Sequence, residues 1–267
     1  MSKFPRIVSL APAATEIVCA LGAADGLVGV TELCDWPSGI GRGRTTVGGW
    51  TDPELESVAA LRPDLVVTST FVQRSITVSL RKLGLNVLHL DVQSLADVRA
   101  SFVQLANAIG RPAAGKKLSD SFTQALGHVT ASTGRPIHVY VEEWMHPPSV
   151  SGNWVPEMLR LAGGRGLATN SAPSYPVTLG DVRAFNPDLM VVSWCNTKGK
   201  PNLNAVYARP GWAALPVIQA RRVHAIDDSL LNRPGPRLSL GLAVLQQVIE
   251  QYRRLEGSAV AVLESSA

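Results

Sequence analysis

Apolar positions along the chain follow two different periods. Short continuous runs read as buried strands: Ile7-Val8-Ser9-Leu10, Leu65-Val66-Val67, Val87-Leu88-His89-Leu90, Ile137-His138-Val139-Tyr140-Val141, Leu189-Met190-Val191 and Val223-His224-Ala225-Ile226. Leu118, Phe122, Ala125, Leu126 and Val129 instead recur every three or four positions, the spacing of one amphipathic helix. Arg111-Pro112 marks the start of that helix and Gly134-Arg135-Pro136 its end. Strands that alternate with helical segments imply parallel sheets with helices on their faces.

The pattern is duplicated. Ala60-Leu61-Arg62-Pro63-Asp64-Leu65-Val66-Val67 resembles Ala184-Phe185-Asn186-Pro187-Asp188-Leu189-Met190-Val191, 124 positions later. In each copy a short helix stops at the proline, the aspartate polarises the turn, and a buried strand follows. The fold class expected is therefore α/β: two Rossmann-like lobes with parallel sheets, joined by a single long helix, with a ligand cleft between the lobes. The expected division is an N-terminal lobe over 1–110, a bridging helix over 111–134 and a C-terminal lobe over 135–267. Open sheets of this kind bind ligands outside the carboxyl ends of their strands.

Composition agrees with two cores. The chain has 267 residues, 46% of them apolar and 17% charged, which excludes a disordered chain. The formal net charge is +4, but the basic residues are scattered rather than arrayed with aromatics, so no nucleic-acid partner is expected. There is no run of about 18 apolar residues and so no membrane span. Cys19, Cys34 and Cys195 are odd in number, without zinc-site spacing, and read as ordinary thiols. Met1 to Pro5 is short and polar, and the first strand follows at once. The expectation is a cytoplasmic protein, or a periplasmic or extracellular one if a signal peptide has been removed.

The residues after each expected strand carry the candidate chemistry. Ala13 and Ala14 are small and leave backbone approachable at a helix start. Five of the six tryptophans (Trp36, Trp50, Trp144, Trp154 and Trp194) fall in expected strand-end segments, an arrangement suited to a large, flat, partly apolar ligand. His146 shares such a segment, whereas His138 and His224 lie inside strands and His128 on the bridging helix. Glu142-Glu143 reads as a solvated pair. No nucleophile elbow, phosphate loop or dinucleotide fingerprint is present, so an enzyme is not expected.

At this point the residues resemble a family. Arg6-Ile7-Val8-Ser9-Leu10-Ala11-Pro12-Ala13-Ala14-Thr15-Glu16, Val28-Gly29-Val30-Thr31 with Cys34-Asp35-Trp36-Pro37, Leu61-Arg62-Pro63-Asp64-Leu65-Val66 and the late Pro236-Arg237 are similar to the helical-backbone metal receptors. These are the substrate-binding proteins of ABC importers for cobalamin, haem and siderophores. Glu143-Trp144-Met145-His146-Pro147-Pro148 with Gly152-Asn153-Trp154-Val155-Pro156-Glu157 resembles the cobalamin-binding subgroup. The resemblance implies a corrinoid ligand, with Trp36, Trp50, Tyr175 and Arg237 at ligand positions. No side chain is expected to hold a metal; were one to reach a cobalt centre, His146 and Cys34 are the candidates.

It also implies docking on an ABC permease through one surface glutamate per lobe. Glu56 holds the first such position; Gly180 holds the second, with Asp181 beside it. That departure, with the opening residues, favours a cytoplasmic carrier or salvage protein over an importer component. Two alternatives stand beside a cobalamin-binding protein. One is a haem or ferric-siderophore receptor of the same fold, which would want cations among its strand-end loops; here these are Arg209, Arg233 and Arg237. The other is a cofactor-modifying enzyme built on Cys34, Cys195 and His146.

Overall fold

A computed structural model describes residues 4–127, 134–169, 172–195 and 199–264, with side chains to 256. The chain divides into two units, Met1–Gln124 with Arg233–Pro236, and Ala125–Asn232 with Arg237–Ala267.

The first unit contains β1 (Ile7–Ser9), α1 (Pro12–Ala20), β2 (Leu27–Val30), β3 (Thr45–Thr46), α2 (Leu55–Ala60), β4 (Leu65–Ser69), α3 (Arg74–Lys82), β5 (Val87–Leu90), α4 (Leu95–Ala108) and most of α5 (Pro112–Gly127). Its sheet runs β3-β2-β1-β4-β5, parallel throughout. Val8, Val66 and Val87 lead one buried cluster against Val58 and Leu80, the apolar faces of α2 and α3. Local chemistry sets the helix starts. Pro12 occupies the first turn of α1, where its missing N–H is no loss. Ser94 and Asp97 form a reciprocal capping box at α4.

The second unit contains β6 (Ile137–Met145), β7 (Pro148–Val150), α6 (Val155–Leu161), β8 (Gly164–Gly166), β9 (Tyr175–Pro176), α7 (Leu179–Phe185), β10 (Leu189–Val192), α8 (Leu203–Tyr207), α9 (Pro216–Gln219), β11 (Val223–Ala225), α10 (Asp228–Leu231) and α11 (Leu238–Glu264). The order β11-β10-β6 is parallel, and β8 pairs with β6 in parallel as well. β7 and β9 are antiparallel additions to this parallel arrangement. The reason is the length of β6. Its nine residues outrun β10, and the chain folds back at His146-Pro147 to pair Met145 with Pro148 and Trp144 with Ser149.

The duplicated segment has the same geometry in both units. Arg62 (φ 44°) and Asn186 (φ 47°) take the left-handed conformation that ends the preceding helix, each just before a proline. The aspartate two residues on then clamps the opening strand. The Asp64 carboxylate accepts from the Arg6 N–H at 2.7 Å and the Asp64 N–H donates to the Arg6 carbonyl at 2.8 Å. Asp188 repeats both bonds with His138 at 2.8 and 2.9 Å. Burial pushes the Asp188 carboxyl up, but bonds from Arg135 and the His138 N–H outweigh it and hold it below its ordinary value.

The described part of the expected bridging helix lies mostly in the first unit. α5 is described as Pro112–Gly127, while His128 and the rest of the expected helix to 133 lie outside the described residues. α5 packs on α4: Phe122 meets Phe102 edge-on at 5.3 Å, and a Cβ on Gly115 would stand 2.3 Å from that of Ala106. Most of this helix therefore belongs to the first unit's core.

Candidate functional site

In the first unit the carboxyl ends of β1, β2 and β4 lie at one edge of the sheet, and three segments converge there. Gln73 joins them. Its Nε2 donates to the Leu10 carbonyl at 2.8 Å and the Trp50 carbonyl at 2.7 Å, while its Oε1 accepts from the Ser69 N–H at 2.8 Å. The buried amide thus fixes the loop that carries the half-buried Trp50 to the ends of two strands. Sequence reasoning missed Gln73, because a glutamine at a helix start bears no local mark of a three-way bond.

The segment after β2 is tied from far along the chain. Arg233 Nη1 lies 2.5 Å from Asp35 Oδ1 and 3.6 Å from Glu16 Oε1, and its Nη2 donates to Asp35 Oδ2 at 3.1 Å. Glu16 is buried, so its charge requires such a partner. Trp36 follows Asp35 and is 47% exposed, the more exposed of the unit's two tryptophans. Its neighbour Cys34 is not available to a ligand. Thr15 Oγ1 donates to the buried Cys34 sulfur at 3.1 Å, with Thr31 Oγ1 at 3.2 Å on another side, and burial pushes the thiol up. Ala13 and Ala14 are also corrected. Both are buried in α1, where Ala13 lies against Gly235, because small residues there serve packing.

In the second unit the carboxyl end of β6 holds a buried ion pair. Glu142 is 0% exposed and receives Arg209 through two 2.7 Å bonds, Tyr140 Oη at 2.9 Å and Trp194 Nε1 at 2.8 Å. The Arg209 guanidinium also lies 4.2 Å from the Trp212 ring centroid. This corrects three expectations. Glu142 is not a solvated residue, Arg209 is committed to it, and Trp194 is a buried member of the core cluster. Trp154 is buried too, at 4% exposure, with its indole N–H donating to the Leu231 carbonyl at 2.6 Å. An indole in a strand-end segment is indistinguishable in sequence from one that caps a helix and turns inward, as Trp154 does on α6.

What remains exposed is the antiparallel corner. Trp144, now seen to lie within β6, and Tyr175 on β9 are each 41% exposed. Trp144 pairs with Ser149, Ser149 with Pro176, and Val150 with Tyr175, so the two aromatics occupy neighbouring rungs. His146 is exposed on the intervening turn. Arg237 is half-buried at the start of α11, where its carbonyl accepts the N–H groups of Leu240 and Gly241. Cys195 lies in a polar cluster. Its sulfur is 3.7 Å from Glu143 Oε1, and burial, the Glu143 carboxyl and Asp228 push the thiol well above its ordinary value. A thiol so held is protonated and is not an activated nucleophile.

The two expected docking carboxylates differ in setting. Glu56 is exposed in the first turn of α2. The exposed Asp181 sits at the corresponding turn of α7, where its carboxylate accepts from the Thr178 N–H and hydroxyl at 2.8 and 2.7 Å, bonds that hold it below its ordinary value.

A family model described as periplasmic binding protein matches residues 7–230. The chain belongs to the periplasmic binding protein family. This family member is 27% identical over 259 residues to the vitamin B12-binding protein of Vibrio parahaemolyticus, covering 93% of this chain and 90% of that one. Among solved structures it resembles the periplasmic vitamin B12 binding protein BtuF of Vibrio cholerae, with a TM-score of 0.77 and 25% identity over 94% of this chain and 98% of that one. It equally resembles the periplasmic heme-binding protein BhuT in complex with two hemes, with a TM-score of 0.78 and 26% identity over 93% and 98% of the two chains. The expectation of a cytoplasmic protein finds no support in these periplasmic relatives, and the start of the chain does not decide the compartment. Among the described residues no helix is long and apolar enough to cross a membrane.

Proposed function

We propose that the chain is the substrate-binding component of an ABC importer, acting outside the cytoplasmic membrane, and that its substrate is a cobalamin-type corrinoid. One observation carries the choice of ligand. At the strand ends of the two units the aromatics Trp36, Trp50, Trp144 and Tyr175 are accessible, while Arg233 and Arg209 are held by carboxylates of the chain itself. Accessible aromatic surface, with Arg209 and Arg233 already paired, suits a large ligand with a neutral periphery better than an anionic siderophore or haem. The vitamin B12-binding relative matches over almost the whole chain, which supports the same reading. Glu56 and Asp181 are the residues proposed to meet the permease, guiding association by charge. Haem is the second reading, favoured by the likeness to BhuT. The protonated thiols at Cys34 and Cys195 speak against the cofactor-modifying reading.

Separate titrations with cyanocobalamin and haemin, followed by tryptophan quenching, decide between the readings. Saturable cyanocobalamin binding with weak haemin binding is expected. In that case Trp50→Ala should weaken cyanocobalamin about tenfold or more, the scale of a stacked aromatic contact, with little change in melting temperature. Tight haemin binding without cyanocobalamin binding would overturn the ligand and leave the family intact.

A further inference from the structure

We propose that Phe71 is a further ligand-contact residue, an aromatic that a strained turn presents at the carboxyl edge of the first sheet beside the loop of Trp50. The proposal deepens the proposed function and rests on its reading that strand-end aromatics meet a macrocyclic ligand.

Four aromatic side chains among the described residues are exposed: Trp36, Phe71, Trp144 and Tyr175. Three of them lie on segments already proposed to meet the ligand. Phe71 is the fourth, 40% exposed, and follows β4 with only Thr70 between. The carboxyl ends of parallel strands are where open sheets receive ligands. A phenyl ring has no polar tip to place in water, so folding gains nothing by leaving it there.

The backbone holds Phe71 in that place against strain. Thr70 has φ 62° and ψ 165°, a region open to glycine and strained for a β-branched residue. Its hydroxyl oxygen is buried and has no partner. Such a conformation persists only where its surroundings over-determine it. Here they do so from several sides. The Thr70 N–H donates to the Leu90 carbonyl at the end of β5 at 2.9 Å. The Gln73 N–H donates to the Thr70 carbonyl at 3.2 Å, closing the turn that contains Phe71. Gln73 Oε1 accepts from the Ser69 N–H at 2.8 Å, and Arg74 pairs with Asp91 just beyond β5 at 2.7 Å.

The same glutamine amide joins this turn to the Trp50 loop. Gln73 Nε2 donates to the Trp50 carbonyl at 2.7 Å and to the Leu10 carbonyl at 2.8 Å. The backbones of residues 10, 50 and 69 therefore meet at one side chain, two positions from Phe71. Phe71 and Trp50 are carried by adjoining segments of a single edge, within the span of a ligand broad enough to touch both. What the two offer is apolar and aromatic, and the complementary surface is a conjugated macrocycle. A packing role explains neither the exposure of the ring nor a strained threonine where glycine fits without strain.

The test titrates the full chain and its variants with cyanocobalamin, followed by tryptophan quenching. Phe71→Ala should weaken binding about fivefold with the melting temperature retained. Phe71→Tyr should bind within about twofold of the unaltered chain, whereas Phe71→Leu, apolar but not aromatic, should stay weakened about threefold. Thr70→Gly should raise the melting temperature and weaken binding about threefold, because it relieves the turn and frees Phe71. Strain kept for positioning moves those two readouts in opposite directions. Binding by Phe71→Ala within about twofold of the unaltered chain overturns the contact, and a loss of about tenfold in Trp50→Ala beside it shows that the ligand reading survives. Full affinity in Phe71→Leu overturns the aromatic character of the contact, and full affinity in Thr70→Gly overturns the positioning by strain. If the unaltered chain takes haemin instead, the same series is read with haemin and the same losses are expected, since haemin also presents a conjugated face. Binding of neither ligand would sink the ligand reading and the proposal together.

Discussion

Glu142 and Arg209 show how a residue's role depends on what reaches it. A carboxylate at the end of a strand is as compatible with a solvated loop as with a buried pair. Here both partners are withdrawn from solvent and meet through two bonds, with Tyr140 and Trp194 completing the shell. Removing one partner leaves an uncompensated buried charge. Arg209→Ala should therefore destabilise the protein by about 3–5 kcal/mol, measured from urea midpoints, and Glu142→Gln in the same chain should recover part of that loss. A midpoint unmoved by Arg209→Ala would mean that water already reaches Glu142. The tryptophans divide for the same reason. Trp36, Trp50 and Trp144 keep accessible surface, whereas Trp154 and Trp194 turn their indole N–H groups to partners inside the unit. All five occupy similar positions in sequence, and the packing that buries two of them comes from residues distant along the chain.

Elements were more legible than residues. The duplicated Pro-Asp segment marked a helix stop and a strand start in both units, because proline bars the helix locally; the aspartate's clamp on the opening strand, 58 and 50 positions away, is a tertiary contact. The antiparallel corner of β6, β7 and β9 was not legible, since strand length relative to a neighbour is a property of the assembled sheet. Within the first sheet, β5 carries a titratable group that links its stability to pH. His89 Nδ1 lies 3.0 Å from Thr68 Oγ1 and 3.2 Å from Thr77 Oγ1, and its Nε2 is buried without a partner. Burial holds its pKa below the ordinary 6.5, with Asp91 opposing and Arg74 and Arg81 reinforcing. The folded state thus keeps His89 neutral at a pH where the unfolded chain takes up a proton. The resulting stability is present above pH 6.5 and is lost as pH falls below it towards the folded value. His89→Gln should flatten the stability curve between pH 7 and pH 5 in denaturant titrations. An unchanged slope would show that other groups set it.

Across the whole molecule, the two units are not two consecutive stretches of chain. Arg233–Pro236 belongs with the first unit although the residues on both sides of it belong to the second. Arg233 pairs there with Asp35 and with the buried Glu16, and Gly235 passes Ala13 where a Cβ would touch Ala13 and Glu16. Arg233→Ala should accordingly loosen the first unit. Hydrogen exchange should quicken in α1 and in residues 31–37, while the strands of the second unit keep their protection. Faster exchange confined to the second unit would show that the segment serves that unit instead.

The α/β class, the duplication, the positions of most buried strands and the family resemblance are all readable in the chain before it folds. These follow from local period, proline and glycine chemistry and short motifs, each complete within a few residues. Tertiary structure alone decided which candidate residues remain available. Ala14, Cys34, Trp154 and Trp194 are taken into the interior, and Arg209 and Arg233 are neutralised by Glu142, Glu16 and Asp35. The bonds of Gln73 and the contact of Cys195 with Glu143 came into view only when strands brought distant residues within hydrogen-bond reach. Burial and pairing are properties of neighbours in space, and a linear chain carries no record of which neighbours those will be.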